Sequence, residues 1–188
     1  MNTAIDISKV ILRTDRLVLR PWRESDLEDF YAYASVDGVG QMAGWKPHGS
    51  REESRAILDR FIAGKKTFAL EYQGKVVGSL GIEQYDESRF PELQEKQCRI
   101  LGFVLSKDYW GRGLMPEAVR EVIRYLFEDV GLDVILCAHF LSNKRSARVQ
   151  EKCGFKPYAL GTYETKFGTV EEDRTNILFK TDWLAQKA

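Results

Sequence analysis

The chain lacks any long apolar run. No stretch reaches the eighteen or so apolar residues of a membrane-spanning helix, and the opening Met1-Asn2-Thr3-Ala4-Ile5-Asp6 carries an acid where an export signal would be apolar. It also lacks a charge excess. Lysine plus arginine and aspartate plus glutamate each number 28 in 188 residues, which argues against the bulk basic field of a nucleic-acid binder. Cysteine is scarce: Cys98, Cys137 and Cys153 stand singly in apolar segments. Their spacing suits no zinc site and their odd number no disulfide framework, so the expectation is buried thiols, no metal and a cytoplasmic protein. Repeats, low-complexity runs and domain-separating linkers are missing too. What is present is a length at which roughly 70% of the unfolded surface can be buried, and one domain over residues 1–188 is expected.

Periodicity supplies the elements. Residues 16–21 alternate with period two and end at Pro21, as a strand does. Residues 25–33 form a helix opened by acidic residues. A glycine-broken stretch, 36–49, holds Trp45, Pro47 and His48. Ser50 answered by Glu53 makes a capping box, Ile57, Leu58, Phe61 and Ile62 follow at helical spacing, and Gly64 stops that helix. Strands 67–72 and 76–82 flank the hairpin loop Gln73-Gly74-Lys75, and 86–96 is a polar loop. Residues 100–105 are nearly all apolar, the pattern of a strand covered on both faces. Residues 117–129 put Val119, Val122, Ile123, Leu126 and Phe127 on one helical face. A second buried strand (134–138), a short helix (143–152) ended by Gly154, and two strands near 158–164 and 176–180 complete a mixed α/β domain.

The central motif is a buried strand followed by Tyr109-Trp110-Gly111-Arg112-Gly113-Leu114-Met115, which opens a helix. Glycines admit positive φ and close approach of another molecule. Successive amides at a helix start form a concavity suited to a pyrophosphate. A lone Gly-x-Gly is weak, since such turns often only connect a strand to a helix. Two competing phosphate sites fail: no Gly-Lys-Ser/Thr ending is present, and a dinucleotide fingerprint would need a glycine at Pro116 and an acid after the next strand, where Ala138-His139 stands.

Taken with Asn143-Lys144-Arg145-Ser146, Gly154-Phe155 and the opening Arg16-Leu17-Val18-Leu19-Arg20-Pro21, the turn resembles the GCN5-related N-acetyltransferase (GNAT) superfamily. Within it, the chain resembles the branch of ribosomal-protein N-terminal acetyltransferases (the Rim type), from about residue 14 to 183. The resemblance implies a splayed central sheet of about seven strands flanked by about four helices, with acetyl-CoA in the gap. Pantetheine would run along Phe103, Val104 and Leu105. The pyrophosphate would sit on amides of Arg112, Gly113, Leu114 and Met115, and Asn143 would bond the pantetheine arm as well as cap its helix. Trp110 and Met115 depart from the broad family's turn.

The implied chemistry is amide formation from a thioester, with a strand amide such as that of Leu105 polarising the carbonyl. The tyrosine acid of many relatives falls at Gln150; Rim-like members offer a serine at Ser146, here a candidate acid beside its local role in a first helical turn. A strand glutamate that serves as base in some relatives falls at Ile100. That leaves Glu83 as candidate base and His48 and His139 as further candidates, each with an ordinary structural reading. Trp45, His48 and His139 are expected at the acceptor. The cationic run from Lys144 to Arg148 is a solvated helix face that also suits the CoA 3′-phosphate. At pH 7.5 roughly a third of α-amino groups are neutral, against about one lysine side chain in a thousand, so a site without an obvious base suits a peptide N-terminus or another low-pKa amine. A small-molecule amine acetyltransferase and a non-catalytic acyl-CoA-binding module are the alternatives. Nucleic acid and membrane are not expected as partners, and monomer and homodimer both stand open.

Overall fold

Alternation at the start of the chain gives the sheet its first strands, β1 (Leu12–Arg13) and β2 (Leu17–Pro21), in a computed structural model that describes residues 1–187. A tight turn at Glu24–Asp26 then leads into α1 (Leu27–Ala34). The acid expected to cap α1 is engaged elsewhere: the Asp26 carboxylate receives both terminal nitrogens of Arg20 at 2.8 Å, and Arg20 also donates to Glu71 at 2.6 Å. In α2 (Arg51–Gly64), Ser50 Oγ accepts from the Glu53 amide at 3.2 Å, as a capping residue should. The left-handed residue that ends α2 is Lys65, one position beyond the expected Gly64.

β3 (Thr67–Tyr72) and β4 (Lys75–Glu83) form a hairpin whose two loop residues, Gln73 and Gly74, both have positive φ. Such a pair matches the twist of antiparallel strands. β5 (Cys98–Leu105), α3 (Leu114–Tyr125), β6 (Val134–Phe140), α4 (Lys144–Lys152), β7 (Lys156–Glu164), β8 (Val170–Phe179) and α5 (Lys180–Ala185) follow. The sheet order is β1-β2-β3-β4-β5-β6-β8-β7, antiparallel except for β5 beside β6. The sheet thus has eight strands where about seven were expected, the addition being the two-residue β1. A fifth helix, α5, is short and signalled only by Trp183, which packs on Phe127 with ring centroids 5.3 Å apart.

The amphipathic stripe of α3 lies on one face of the sheet, where Val119, Val122 and Ile123 meet Leu19, Phe68, Leu80 and Leu101. On the other face α1 and α2 bring Phe30, Tyr33 and Leu58 onto Trp22 and Ala69. Each such aliphatic or aromatic side chain contributes roughly 1.5–3 kcal/mol on burial, so the sheet is packed between the two layers. Full coverage of β5, expected from its composition, holds only for its first half. Cys98, Arg99 and Leu101 are buried, Gly102 is exposed, and Phe103, Val104 and Leu105 are half-buried.

Candidate active site

The reason lies in the strand pairing. β5 and β6 run together only from Cys98 opposite Val134 to Leu101 opposite Cys137, and then diverge. The Ser106 amide donates to Val77 O at 2.8 Å, on the β4 side. Because backbone groups alternate along a strand, Val104 and Gly102 also face β4, and Phe103 and Leu105 face the gap. The Leu105 carbonyl is taken by Trp110 Nε1 at 2.8 Å. Among the described residues, the amides of Phe103 and Leu105 and the Phe103 carbonyl are left as an unpaired edge in a cavity of about 730 Å³.

The glycine turn borders this cavity. Gly111 and Gly113 both have φ of 76°, and Gly113 is the N-cap of α3. The first amides of α3 have no carbonyl partners within their helix. Arg16 fixes the turn from outside, donating to the Arg112 carbonyl at 2.8 Å and pairing with Glu117 at 2.6 Å. Burial works to raise the Glu117 pKa, but hydrogen bonds from Thr14 and Arg16 outweigh it and hold it below its ordinary value. Gly113, Leu114 and Met115 line the cavity. The Met115 side chain is buried in the core, so a bulky residue is accommodated where the resemblance expects a small one. The Arg112 side chain lies over the Tyr109 ring, 5.0 Å from its centroid, and is not part of the cavity wall.

α4 forms the opposite wall. Asn143 Oδ1 accepts from the Ser146 amide at 3.1 Å as N-cap, and its Nδ2 donates to the Met42 carbonyl at 3.2 Å. Ser146 Oγ accepts from Gln150 Nε2 at 3.1 Å. Lys144, Arg145, Arg148 and Lys152 line the same wall, and the Arg145 guanidinium stacks on Trp110 at 4.5 Å across the mouth. A cationic wall beside exposed helix-start amides is an arrangement that holds polyanions.

Glu83 ends β4 directly opposite Ile100 and lines the cavity, ion-paired to Lys66. Gly81, two residues before it on the same face, leaves room for that carboxylate: a β-carbon there would lie 2.8 Å from Glu83 Oε1. His139 also lines the cavity, lying within β6 instead of beyond it. Its Nδ1 is 2.9 Å from the Phe140 carbonyl; a carbonyl only accepts, so Nδ1 carries a proton, and in the neutral ring Nε2 is then the acceptor.

Trp45 and His48, expected at the acceptor, are not among the residues that line the cavity. His48 is buried against Phe30 and Trp45, with Nδ1 2.8 Å from Ser54 Oγ, and burial lowers its pKa from the ordinary 6.5. Trp45 packs under Gly40, where a β-carbon would overlap its ring. Together they anchor the 36–49 stretch, and Val39, Met42 and Ala43 from that stretch reach the cavity in their place. Sequence reasoning also missed Tyr163 and Asp173, which line the cavity from β7 and β8. Asp173 is buried and pairs with Arg89 at 3.2 Å. Neither residue carries a local motif.

An unpaired strand edge, a glycine turn at a helix start and a capped serine helix facing it across the gap define a class of acyl-transfer proteins. Residues 16–156 match the acetyltransferase (GNAT) domain, and the chain belongs to that family: it is an acetyl-CoA-dependent N-acyltransferase. It is similar to the Bacillus subtilis (strain 168) protein named Uncharacterized N-acetyltransferase YoaA, with 32% identity over 175 residues, covering 89% of this chain and 94% of that one. Its fold matches the ribosomal-protein-S5-alanine acetyltransferase from Vibrio fischeri, with a TM-score of 0.71, 21% identity and coverage of 93% and 99% of the two chains. The microcin C7 self-immunity acetyltransferase MccE, solved in complex with acetyl-CoA and AMP, matches at a TM-score of 0.73 with 14% identity, covering 88% of this chain and 93% of that one. Among the described residues no helix is long and apolar enough to cross a membrane.

Proposed function

We propose that the protein moves the acetyl group of acetyl-CoA to a primary amine by direct attack in a ternary complex, and that the acceptor is a peptide or protein N-terminal α-amine. The observation that carries this reading is the unpaired edge at Phe103 and Leu105, which faces the gap while Ser146 and Glu83 line the same cavity. Pantetheine pairs with that edge as an added strand would. The pyrophosphate takes the amides of Arg112, Gly113, Leu114 and Met115, and the α4 cations draw in the nucleotide phosphates. Asn143 Nδ2, which has a second proton beyond the one given to Met42, serves the pantetheine arm.

A strand amide of the free edge polarises the thioester carbonyl. The amine nitrogen bonds to the carbonyl carbon, the C–S bond breaks, and its electron pair goes to sulfur. Glu83 takes the proton that the attacking nitrogen gives up, and the Ser146 hydroxyl supplies the hydrogen bond that receives the sulfur. The products are the acetamide and CoA thiolate, which takes a proton from solvent as Glu83 returns its own to solvent. His139 Nε2 is a second acceptor on the same cavity wall.

Both carboxylates of the cavity are already ion-paired, Glu83 with Lys66 and Asp173 with Arg89. Polyamine recognition calls for unpaired acids, so the site favours an acceptor with one reacting amine, approached past Met42, Phe140 and Tyr163. Release of CoA in the presence of peptide N-termini and small amines tests the reading. Peptides are expected to turn over faster than polyamines or free lysine side chains, and the reverse order would remove the N-terminal acceptor.

A further inference from the structure

The Ser146 hydroxyl is held by a buried chain of amides. Gln150, one helical turn further along α4, is fully buried, and its Nε2 lies 3.1 Å from Ser146 Oγ. The orientation of that amide is fixed by chemistry: Nε2 is also 3.2 Å from the Ala138 carbonyl, which only accepts, so nitrogen and not oxygen faces that side. At the other end Gln150 Oε1 accepts from Asn176 Nδ2 at 2.8 Å. Asn176 is buried on β8, opposite Cys137, at the rung where β5 and β6 separate. Its own Oδ1 has no partner among the described residues.

Nε2 has two protons, and they go to Ala138 O and to Ser146 Oγ. Ser146 therefore receives a hydrogen bond from within the fold, and its single proton is free for an acceptor in the cleft. We propose that Asn176 and Gln150 form a polarised relay that positions Ser146 as a donor to the sulfur of CoA. The inference rests on the reading of Ser146 given above; Gln150 and Asn176 are positioning residues that act through it. Donation into Oγ makes the hydroxyl a stronger donor outward, since linked hydrogen bonds polarise one another. Loss of either amide leaves Ser146 able to turn back onto its own helix.

The consequence is measurable without an acceptor, as the acidity of CoA thiol in its binary complex. The thiolate absorbance is titrated from about pH 6.5 to about 9.5, with the desulfo-CoA complex as blank. The chain's own thiols stay outside this window: burial pushes Cys98 up to about 12 and Cys153 up to about 11, and Cys137 is raised by the same cause. The bound thiol is expected to titrate about one unit below free CoA, the size of a charge-assisted hydrogen bond. Ser146→Ala should abolish that shift, the volume-conserving Gln150→Met should remove most of it, and the double variant should go no further than Ser146→Ala. A Gln150→Met protein that keeps the parental shift while Ser146→Ala loses it overturns the relay alone. A parental complex that titrates like free CoA, or a Ser146→Ala complex that keeps the shift, overturns the role of Ser146 and the relay with it. Should Gln150→Met fail to bind CoA, Asn176→Ser, which cuts only the outer link, is measured in its place, and a full parental shift there overturns the relay.

Discussion

At Gly113 the backbone is left-handed at the start of α3, and Arg16 Nη2 lies 3.5 Å from where a β-carbon would stand. A branched side chain there costs on the order of 1–2 kcal/mol in backbone strain and displaces the amides proposed for the pyrophosphate. Gly113→Val is expected to lower the unfolding free energy by that amount in denaturant titration and to weaken CoA binding at least tenfold in calorimetry. Ser146→Ala is expected to slow turnover about tenfold with the KM for acetyl-CoA unchanged, because a thiolate of ordinary acidity leaves without full protonation; steady-state kinetics at saturating acetyl-CoA reads this. The places of Gly113, Asn143 and Ser146 at the cavity were legible because each is set by a turn or cap within a few residues of its own backbone. Tyr163 and Asp173 were not, because strand pairing across the sheet brings them in, with Gly161 standing opposite Asp173 on β7. Glu83 lies between: its position at a strand end was readable, its place directly across from Ile100 was not.

The 36–49 stretch shows how an element can serve a site through residues other than the conspicuous ones. Trp45, an aromatic on a polar loop, and His48, a candidate base and acceptor contact, are the anchors, and the less distinctive Met42 reaches the cavity. Hydropathy does not say which side of a loop faces inward. The anchor has a pH signature. Burial lowers the His48 pKa below 6.5, so the unfolded chain takes up a proton there before the folded one does. This contribution to stability is complete above about pH 6.5 and is lost as pH falls through the lowered folded value. His48→Gln, which keeps a polar partner for Ser54, should flatten that part of the stability–pH curve while leaving the part at lower pH, where Glu117 titrates. β5 gives the matching lesson for strands. Its apolar run suits a strand covered by protein on both faces, and half of it instead lines an open cavity; an apolar cavity wall and a packed strand select the same side chains.

Across the whole molecule the charges cancel, 28 against 28, while Lys144, Arg145, Arg148 and Lys152 concentrate positive charge on one wall of the cleft. CoA affinity should therefore fall as salt rises, even though the protein has no net field to screen; calorimetry across a salt series checks this. The order of strands and helices, and with it the fold, was legible from periodicity and two glycine-bearing segments. The separation of β5 from β6 was implied only by the family resemblance, and its starting point at Leu101 and Cys137 was not legible, because parting strands carry no sequence mark of their own. In the proposed mechanism that separation supplies the cleft in which donor and acceptor meet. The most direct test of the account is release of free CoA from acetyl-CoA by the intact protein, followed against peptides with free N-termini, the same peptides N-terminally blocked, and small amines. The account predicts turnover that requires a free α-amine and yields an equal amount of N-acetylated peptide. Tight CoA binding without turnover of any acceptor would contradict it.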